Sequence, residues 1–272
     1  MNYPGVKEMF GEDQAFLPIG RGEVHLWICN HEVQSSNEMH QRLWSLLSKT
    51  ELQKYSRFYF AKDRSRYLLT RALIRTVLSR YANVNPCEWQ FEKTPNGRPT
   101  VGGGKQQAIS HLSFNISHTN GLIIVGVANA VAIGVDVENT NRVTMLEIAD
   151  RVFSAEEVAK MRTLSKEEQV GRFFTLWTLK ESYVKARGMG LRFPLKQIAF
   201  EIVGARIHPC FDRRVNDTED RWKFWQLYPN DHHVVAICAG QPMTGKLQLT
   251  CRKAFPLCSE EVLDCVPIRE SK

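Results

Sequence analysis

The segment that ends at Gly188 constrains the fold of this chain more than any other. Ser165 and Glu168 have the spacing of a capping box, which predicts the start of a long helix, and Gly188 is suited to end it. A helix that is apolar on most sides must be buried on most sides, so other elements have to cover it. Its apolar side chains are Phe173, Phe174, Leu176, Trp177, Leu179, Tyr183 and Val184.

Strand signals elsewhere in the chain can supply that cover. Residues 23–29 alternate in polarity, and residues 122–127 and 132–138 are rich in β-branched side chains and predict a hairpin. Helices are predicted across 62–81 and after the capping boxes Ser48–Glu51 and Ser154–Glu157, and further strands at 199–203, 222–227 and 233–238. We therefore predict an α+β fold of two similar α/β halves, residues 1–121 and 122–240, with an extension of unknown role at 241–272.

Composition narrows the class of protein without choosing a function. The chain has 272 residues and a net charge of +7, and such an excess attracts nucleic acid, anionic membranes, phosphorylated small molecules or acidic proteins. Its seven cysteines include no C-x-x-C pair, which favours reduced thiols in a cytoplasm. We find no signal peptide at residues 1–10 and no stretch apolar enough to span a bilayer, and therefore predict a cytoplasmic protein.

The first chemical signal lies in the predicted strand at 132–138. Alternate side chains of a strand share one face, so Asp136 and Glu138 point the same way, about 7 Å apart. Two such carboxylates can converge on Mg²⁺, which takes its remaining ligands from substrate phosphates and water. The alternative is an edge strand with one solvated face, and this pair alone does not decide between the two.

The second signal is a charged pair on the long helix. Glu181 and Lys185 stand at positions i and i+4, on one face. A surface salt bridge is the simpler interpretation, but charges on a helix that is apolar on most sides need partners such as a metal and a phosphate.

Two further signals are weaker. Ser117, His118 and Thr119 precede the Asp136 strand and carry groups that can donate to phosphate oxygens, although a single loop histidine is usually structural. Between residues 54 and 80, Asp63 is the one acidic residue among a row of cations. Such a row is typical of a solvated helix face, although a subset of the cations could bind phosphate. The cations are Lys54, Arg57, Lys62, Arg64, Arg66, Arg71, Arg75 and Arg80.

Three blocks in this order resemble the Sfp-type phosphopantetheinyl transferases. They are Asn96-Gly97-Arg98-Pro99 with Phe114-Asn115-Ile116-Ser117-His118, then Ile133-Gly134-Val135-Asp136-Val137-Glu138, then Phe174-Thr175-Leu176-Trp177-Thr178-Leu179-Lys180-Glu181-Ser182-Tyr183-Val184-Lys185. The likeness covers about residues 47–239. It implies a pseudo-twofold fold with coenzyme A between the halves, and a Mg²⁺-dependent transfer of phosphopantetheine to a serine of an acyl, peptidyl or aryl carrier protein.

The resemblance also implies residue roles. Asp136, Glu138 and Glu181 match the magnesium ligands, and Asp136, Glu181 and Lys185 the catalytic set, with Glu181 similar to the proposed base. Lys54, Arg66, Arg98, Ser117, His118, Lys180 and Lys185 match positions that contact coenzyme A. One position departs, because Glu51 stands where the family has a cation. The family is usually monomeric.

Three other interpretations stay open from the sequence. A nucleic-acid-binding protein fits the charge, but zinc-finger spacing and an RNP-like aromatic block are missing. Another Mg²⁺-dependent enzyme, such as a nucleotidyltransferase or phosphohydrolase, could share Asp136 and Glu138. An inactive carrier-binding protein is disfavoured by the intact set of Asp136, Glu138, Glu181 and Lys185. We therefore expect neither a nucleic acid nor a membrane as the partner.

Overall fold

A computed structural model describes residues 16–31, 36–102, 111–142, 146–190, 193–242 and 245–272. The signal-peptide prediction for residues 1–10 lies outside these ranges. The fold is α+β, as expected. Its helices are α1 (Asn37–Ser45), α2 (Lys49–Ser56), α3 (Ala61–Ser79), α4 (Ala149–Val152), α5 (Ala155–Arg162) and α6 (Lys166–Arg187). Within the described ranges, no helix is both long and apolar enough to cross a membrane.

Thirteen strands are described, eleven of them in two large sheets. They are β1 (Glu23–Asn30), β2 (Phe91–Lys93), β3 (Pro99–Val101), β4 (Leu112–His118), β5 (Leu122–Asn129), β6 (Ile133–Asn139), β7 (Ile198–Val203), β8 (Arg206–Phe211), β9 (Trp222–Asn230), β10 (His233–Gly240), β11 (Gln248–Phe255), β12 (Ser259–Leu263) and β13 (Arg269–Glu270). The first sheet has the order β12-β11-β1-β5-β4 and the second β6-β10-β9-β13-β8-β7, while β2 and β3 form a separate pair.

The two large sheets pack face to face between layers of helices. On β10, Val234 and Ala236 face the core beneath α6, whereas Val235 and Ile237 face the first sheet. We call the second set of side chains the inter-sheet core. Its buried members are Val24, Leu26, Ile28, Leu122, Ile124, Ala128, Ile133, Val135, Val137, Trp225, Leu227, Val235, Ile237, Ala239 and Cys251. A strand buried on both faces reads as a continuous apolar run, which explains the composition of β5.

The helix predictions are confirmed, together with their local causes. Ser48, Ser154 and Ser165 each cap a helix in a complete capping box. Helix α6 ends at Gly188, which has a φ of 66°, a left-handed conformation that glycine adopts without steric cost.

The predicted hairpin between 122–127 and 132–138 is wrong. Strand β5 pairs with β1 and β4, whereas β6 pairs with β10. The chain leaves the first sheet after β5, passes through Ala130 with a φ of 59°, and enters the second sheet at β6. Strong β-propensity in both segments could not show that each prefers a distant partner.

The extension at 241–272 belongs to both sheets. Strands β11 and β12 extend the first sheet, with β11 parallel to β1, and β13 lies between β9 and β8 in the second. Strand pairing changes sheet between β5 and β6. The sequence-based division at residues 121 and 240 stays a prediction, because strand pairing alone does not define independently folding units.

Candidate active site

A glycine on β6 allows helix α6 to lie directly against the strand. A Cβ atom on Gly134 would come within 2.0 Å of the Ser182 carbonyl oxygen and 2.3 Å of the Ala186 nitrogen. Because strand side chains alternate, Asp136 and Glu138 share the face of Gly134 and point toward α6. This close approach brings the carboxylates of the strand to the charged side chains of the helix.

Asp136 is the central residue of this contact. It is 5% exposed, and its Oδ1 accepts hydrogen bonds from Lys185 Nζ at 2.6 Å and from Ser117 Oγ at 2.9 Å. Its Oδ2 is buried and has no hydrogen-bond partner among the described residues. A buried carboxylate oxygen without a partner is energetically costly, so this atom marks a position where a cation would be stabilised.

Glu138 lies next along the strand, in a strongly acidic setting. Burial and the charge of Asp136 raise its pKa to about 7, against the opposing charges of Arg142 and Lys185. Arg142 Nη1 donates to Glu138 Oε2 at 3.0 Å, and the Trp177 indole lies close enough to lower the pKa of this carboxylate.

Glu181 and Lys185 face this pair from the helix. Burial and the charge of Asp136 also raise the pKa of Glu181. Lys185 Nζ donates to Ser117 Oγ at 3.0 Å and to the Val135 carbonyl at 3.2 Å, in addition to Asp136. The structure thus brings Asp136, Glu138, Glu181 and Lys185 together, and we call these four residues the acidic cluster with its lysine.

Ser117 and His118 lie at the end of β4, beside this cluster. Ser117 is buried, whereas His118 is exposed at the end of the strand. Partial desolvation of the His118 ring and the positive charges of Arg66 and Lys185 lower its pKa to about 4. Arg66 is therefore near enough to His118 to disfavour its protonated form, although Arg66 also pairs with Asp63 at 2.7 Å.

Lys54 lines a different cavity. Its Nζ lies 5.3 Å from the centre of the Tyr67 ring, and the side chain is exposed. The cavity has a volume of about 450 Å³ and shares Pro99 with a second cleft, of about 260 Å³, which Glu181 and Lys185 line. The wall of the smaller cleft also includes Asn96, Gly97, Arg98, Asn115, Ile116, Val184, Gly188 and Gly190.

The structure assigns Arg98 a role different from the predicted phosphate contact. Its Nη1 donates to the carbonyls of Lys185 and Ala186, and its Nη2 to those of Phe114 and Ile133, at 3.1–3.3 Å. The terminal donors therefore fasten the end of α6 to β4 and β6. A guanidinium presents its donors in a rigid fork, so these groups cannot serve a phosphate at the same time.

Lys180, a predicted coenzyme A contact, lies in the core of the protein. Lys180 is fully buried and pairs with Glu157 at 2.8 Å. Its Nζ also donates to the carbonyls of Leu195 and Ile198. Residues five apart on a helix point about 140° away from each other, so Lys180 faces the core while Lys185 faces the acidic cluster.

The three carboxylates suit magnesium in chemistry, and the bare Oδ2 of Asp136 fits a bound cation. Across the described ranges, however, no three His, Cys, Asp or Glu side chains are already gathered as a metal site. Magnesium binds through one or two carboxylates plus substrate phosphates, so a gathered triad is not required. The ligand set of Asp136, Glu138 and Glu181 stays a prediction.

Sequence reasoning did not assign roles to Trp177 and Arg142, which both lower the pKa of Glu138. Trp177 stands one helical turn before Glu181, a spacing that could have placed it on the same face. Arg142 follows Glu138 by four residues, but no helix is present there and no local pattern predicts the contact. Glu51, which stands where the family has a cation, has a structural role instead. It completes the capping box of α2 and pairs with Arg71 and Arg75.

Comparison with known proteins gives two family matches that together cover most of the chain. Residues 132–238 match the 4′-phosphopantetheinyl transferase superfamily, and residues 32–130 match the 4′-phosphopantetheinyl transferase N-terminal family. The 4′-phosphopantetheinyl transferase HetI of Nostoc sp. is 32% identical over 79% of this chain and 86% of its own length. The 4′-phosphopantetheinyl transferase Sfp of Bacillus subtilis is 33% identical over 76% of this chain and 88% of its own length.

Proposed function

This chain belongs to the 4′-phosphopantetheinyl transferase superfamily, and from that premise we propose that it moves the phosphopantetheine arm of coenzyme A onto a serine hydroxyl of a carrier protein. The serine oxygen forms a bond to the arm's phosphorus, the diphosphate bond breaks, and 3′,5′-ADP leaves. An apo acyl, peptidyl or aryl carrier thereby becomes the holo form used in fatty acid, polyketide or nonribosomal peptide synthesis.

The acidic cluster with its lysine is the observation that carries this proposal. Asp136 keeps one buried oxygen bare, and the pKa values of Glu138 and Glu181 are raised by burial and by the charge of Asp136. Such a site has more negative than positive charge. It lies against a cleft of about 260 Å³ that Glu181 and Lys185 line, which is where a diphosphate and its counter-ion would be accepted together.

We propose that Asp136, Glu138 and Glu181 hold a magnesium ion jointly with the diphosphate oxygens of coenzyme A. When bound, the ion would neutralise charge on the diphosphate during the displacement. Lys185 would move from Asp136 to the diphosphate, where its ammonium stabilises charge on the departing 3′,5′-ADP. The flexible lysine stem makes this exchange of partners possible.

Glu181 would accept the proton of the carrier serine, directly or through a water molecule. A serine hydroxyl is a weak nucleophile near neutral pH, so a positioned base is required. The raised pKa of Glu181 increases the affinity of this carboxylate for a proton, which suits the role.

The nucleotide end of coenzyme A would use cations and hydrogen-bonding groups at the rim. Arg66 lies near the neutral His118 ring, which follows Ser117, and Lys54 lines the adjoining cavity. These four residues are the proposed contacts to the 3′-phosphate side. We leave Lys180 out of the set because its ammonium already serves the chain's own groups, and Arg98 because both of its terminal nitrogens do.

Carrier recognition would draw on the charge of the whole enzyme. With a net charge of +7, the enzyme would meet an acidic carrier faster than a neutral enzyme would. We also propose a monomer that acts in the cytoplasm. All seven cysteines are free in the structure, which fits a reducing compartment.

The experiment is intact-mass spectrometry of an apo carrier incubated with this protein, coenzyme A and Mg²⁺. We expect the carrier to gain one phosphopantetheine arm, and to gain nothing when the metal is chelated or when the acceptor serine is alanine. No gain across acyl, peptidyl and aryl carriers, despite measurable coenzyme A binding, would contradict the proposal. Release of phosphopantetheine into solution without a carrier would identify a hydrolase instead.

A further inference from the structure

Two cysteines of the C-terminal extension meet at the inter-sheet core. Cys251 lies on β11 and is 2% exposed, as a member of that core. Cys265 follows β12 by two residues, packs against the same core, and is partly exposed. Both cysteines are free thiols in the structure.

The register of the β11–β12 hairpin places the two thiols on one face. Cys251 lies directly opposite Leu263 in this antiparallel pair. Side chains alternate, so the residue two positions after Leu263, which is Cys265, points to the same side as Cys251. Diagonal neighbours on one face of an antiparallel pair lie about 7–8 Å apart, slightly farther than a disulfide spans without backbone movement. The connection at 264–268 has no regular structure, so its backbone can adjust to the geometry that a disulfide requires.

The two sulfurs also differ in chemical character. The neighbouring Cys251 thiol stabilises the Cys265 thiolate and lowers its pKa. The contact with Cys265, together with burial, raises the pKa of Cys251. The thiolate is the reactive form of cysteine, and Cys265 is the more accessible of the two. The pair therefore combines an accessible nucleophile with a buried partner beside it.

We propose that Cys251 and Cys265 form a dithiol site that a hydroperoxide converts reversibly into a disulfide. The Cys265 thiolate attacks one peroxide oxygen, which breaks the O–O bond, gives a sulfenic acid on Cys265 and, with hydrogen peroxide, releases hydroxide that takes up a proton to become water. Cys251 then attacks the sulfenic sulfur, loses its proton and expels a second water. The two thiols lose two electrons in total, and the peroxide gains them.

The disulfide would fasten the extension at the point where it passes between the sheets. Cys251 belongs to the first sheet, and the chain after Cys265 enters the second sheet as β13, where Ser271 Oγ accepts a hydrogen bond from the Phe224 nitrogen. Closing a loop of roughly 15 residues restricts the unfolded chain and therefore stabilises the fold. For a protein of this size we expect the melting temperature to rise by about 5 °C on oxidation.

Peptide mapping of the full chain tests the assignment without any mutation. The reduced protein is treated with a small excess of hydrogen peroxide, blocked with an alkylating agent and digested without reductant. We expect a peptide pair linked through Cys251 and Cys265, which dithiothreitol separates. Oxidation of Cys265 to sulfinic acid without the linked pair, or linkage spread over the exposed Cys210 and Cys258, would overturn the proposal.

Thermal melting of matched variants provides the second measurement. Cys265→Ser removes the accessible partner, and Cys258→Ser, at an exposed position of the same hairpin, is the control. We expect peroxide to raise the melting temperature of the wild type and of Cys258→Ser, and to leave that of Cys265→Ser unchanged. An equal rise in all three chains, or no rise in the wild type, would overturn the proposal. Both measurements are independent of the transferase reaction.

Discussion

Two groups of buried carboxylates in this molecule differ in how their charge is balanced. Glu51, 7% exposed, contacts Arg71 at 2.5 Å and Arg75 at 2.7 Å. Arg75 also donates to the carbonyls of Pro86 and Trp89, so its guanidinium is well satisfied. Burial acts to raise the pKa of Glu51, but the two arginines lower it below its ordinary value.

The acidic cluster with its lysine has the opposite balance. Three carboxylates face Lys185 and the largely exposed Arg142, and the Oδ2 of Asp136 has no hydrogen-bond partner among the described residues. Here the pKa values of Glu138 and Glu181 are raised instead of lowered. The ion pairs around Glu51 are therefore complete in the folded chain, whereas the acidic cluster with its lysine has more negative than positive charge.

Replacing Asp136 should have the largest effect on turnover. We expect Asp136→Asn to lower turnover by about 10⁴-fold, or about 5 kcal/mol, because it removes the central carboxylate of the proposed site. The free energy of unfolding should change by less than about 1 kcal/mol, since the lost Lys185 ion pair is offset by relief of repulsion. Carrier loading and urea unfolding measure the two quantities. A turnover near that of the control Glu261→Gln, at an exposed position, would remove Asp136 from the site.

Glu51→Gln should show the reverse pattern. It leaves Arg75, which is 1% exposed, without its carboxylate, so we expect the free energy of unfolding to fall by about 4 kcal/mol. Turnover per folded molecule should stay within about twofold of the wild type, because the buried ion pair lies outside the acidic cluster with its lysine. Urea unfolding, with activity corrected for the folded fraction, checks both. A large fall in activity at full stability would place Glu51 in the substrate site instead.

The two lysines of α6 allow the same contrast between stability and turnover to be tested on a single helix. Lys180→Met leaves Glu157 buried without its cation, although Glu157 still accepts backbone bonds from Ser154 and Phe200, so we expect a loss of about 3 kcal/mol in stability. Lys185→Met should instead lower turnover by about 10²-fold, with little change in stability. Equal losses of turnover and stability in Lys185→Met would mark Lys185 as a structural residue.

The smallest expected effect is a pH dependence of the metal-free protein. The pKa of Glu138 is about 7 in the folded state against 4.5 ordinarily, so ionisation costs more in the folded chain. Its contribution to stability is fully present below pH 4.5 and is lost as the pH rises to about 7. We expect about 2 kcal/mol over this interval, less in Glu138→Gln.

Urea unfolding in a chelator at pH 5 and pH 7.5 measures this difference for the wild type and Glu138→Gln. The pH dependence that Glu51 contributes has the opposite sign. Its pKa is lowered in the folded chain, so its contribution to stability is lost as the pH falls below the ordinary pKa of a glutamate. Identical pH slopes in the wild type and Glu138→Gln would show that Glu138 is well solvated.

Local signals predicted the helices well and the strand partners poorly. A capping box and a C-terminal glycine act within one turn, so Ser165, Glu168 and Gly188 identified α6 by themselves. Strand pairing depends on residues far apart in the chain. For this reason the β5–β6 hairpin was wrong, and the half-exposed strands β11 to β13 gave only weak signals.

The sequence by itself determined the residue types of the active site and which of them could share a face. Alternation on β6 paired Asp136 with Glu138, and helical spacing paired Glu181 with Lys185. Only the tertiary structure decided which of these side chains already have partners within the chain. Helix α6 is buried on most sides, so spacing alone could not direct Lys180 to Glu157 and Lys185 to Asp136. That choice depends on which sheet and loop cover each face, and those contacts join residues distant in the chain.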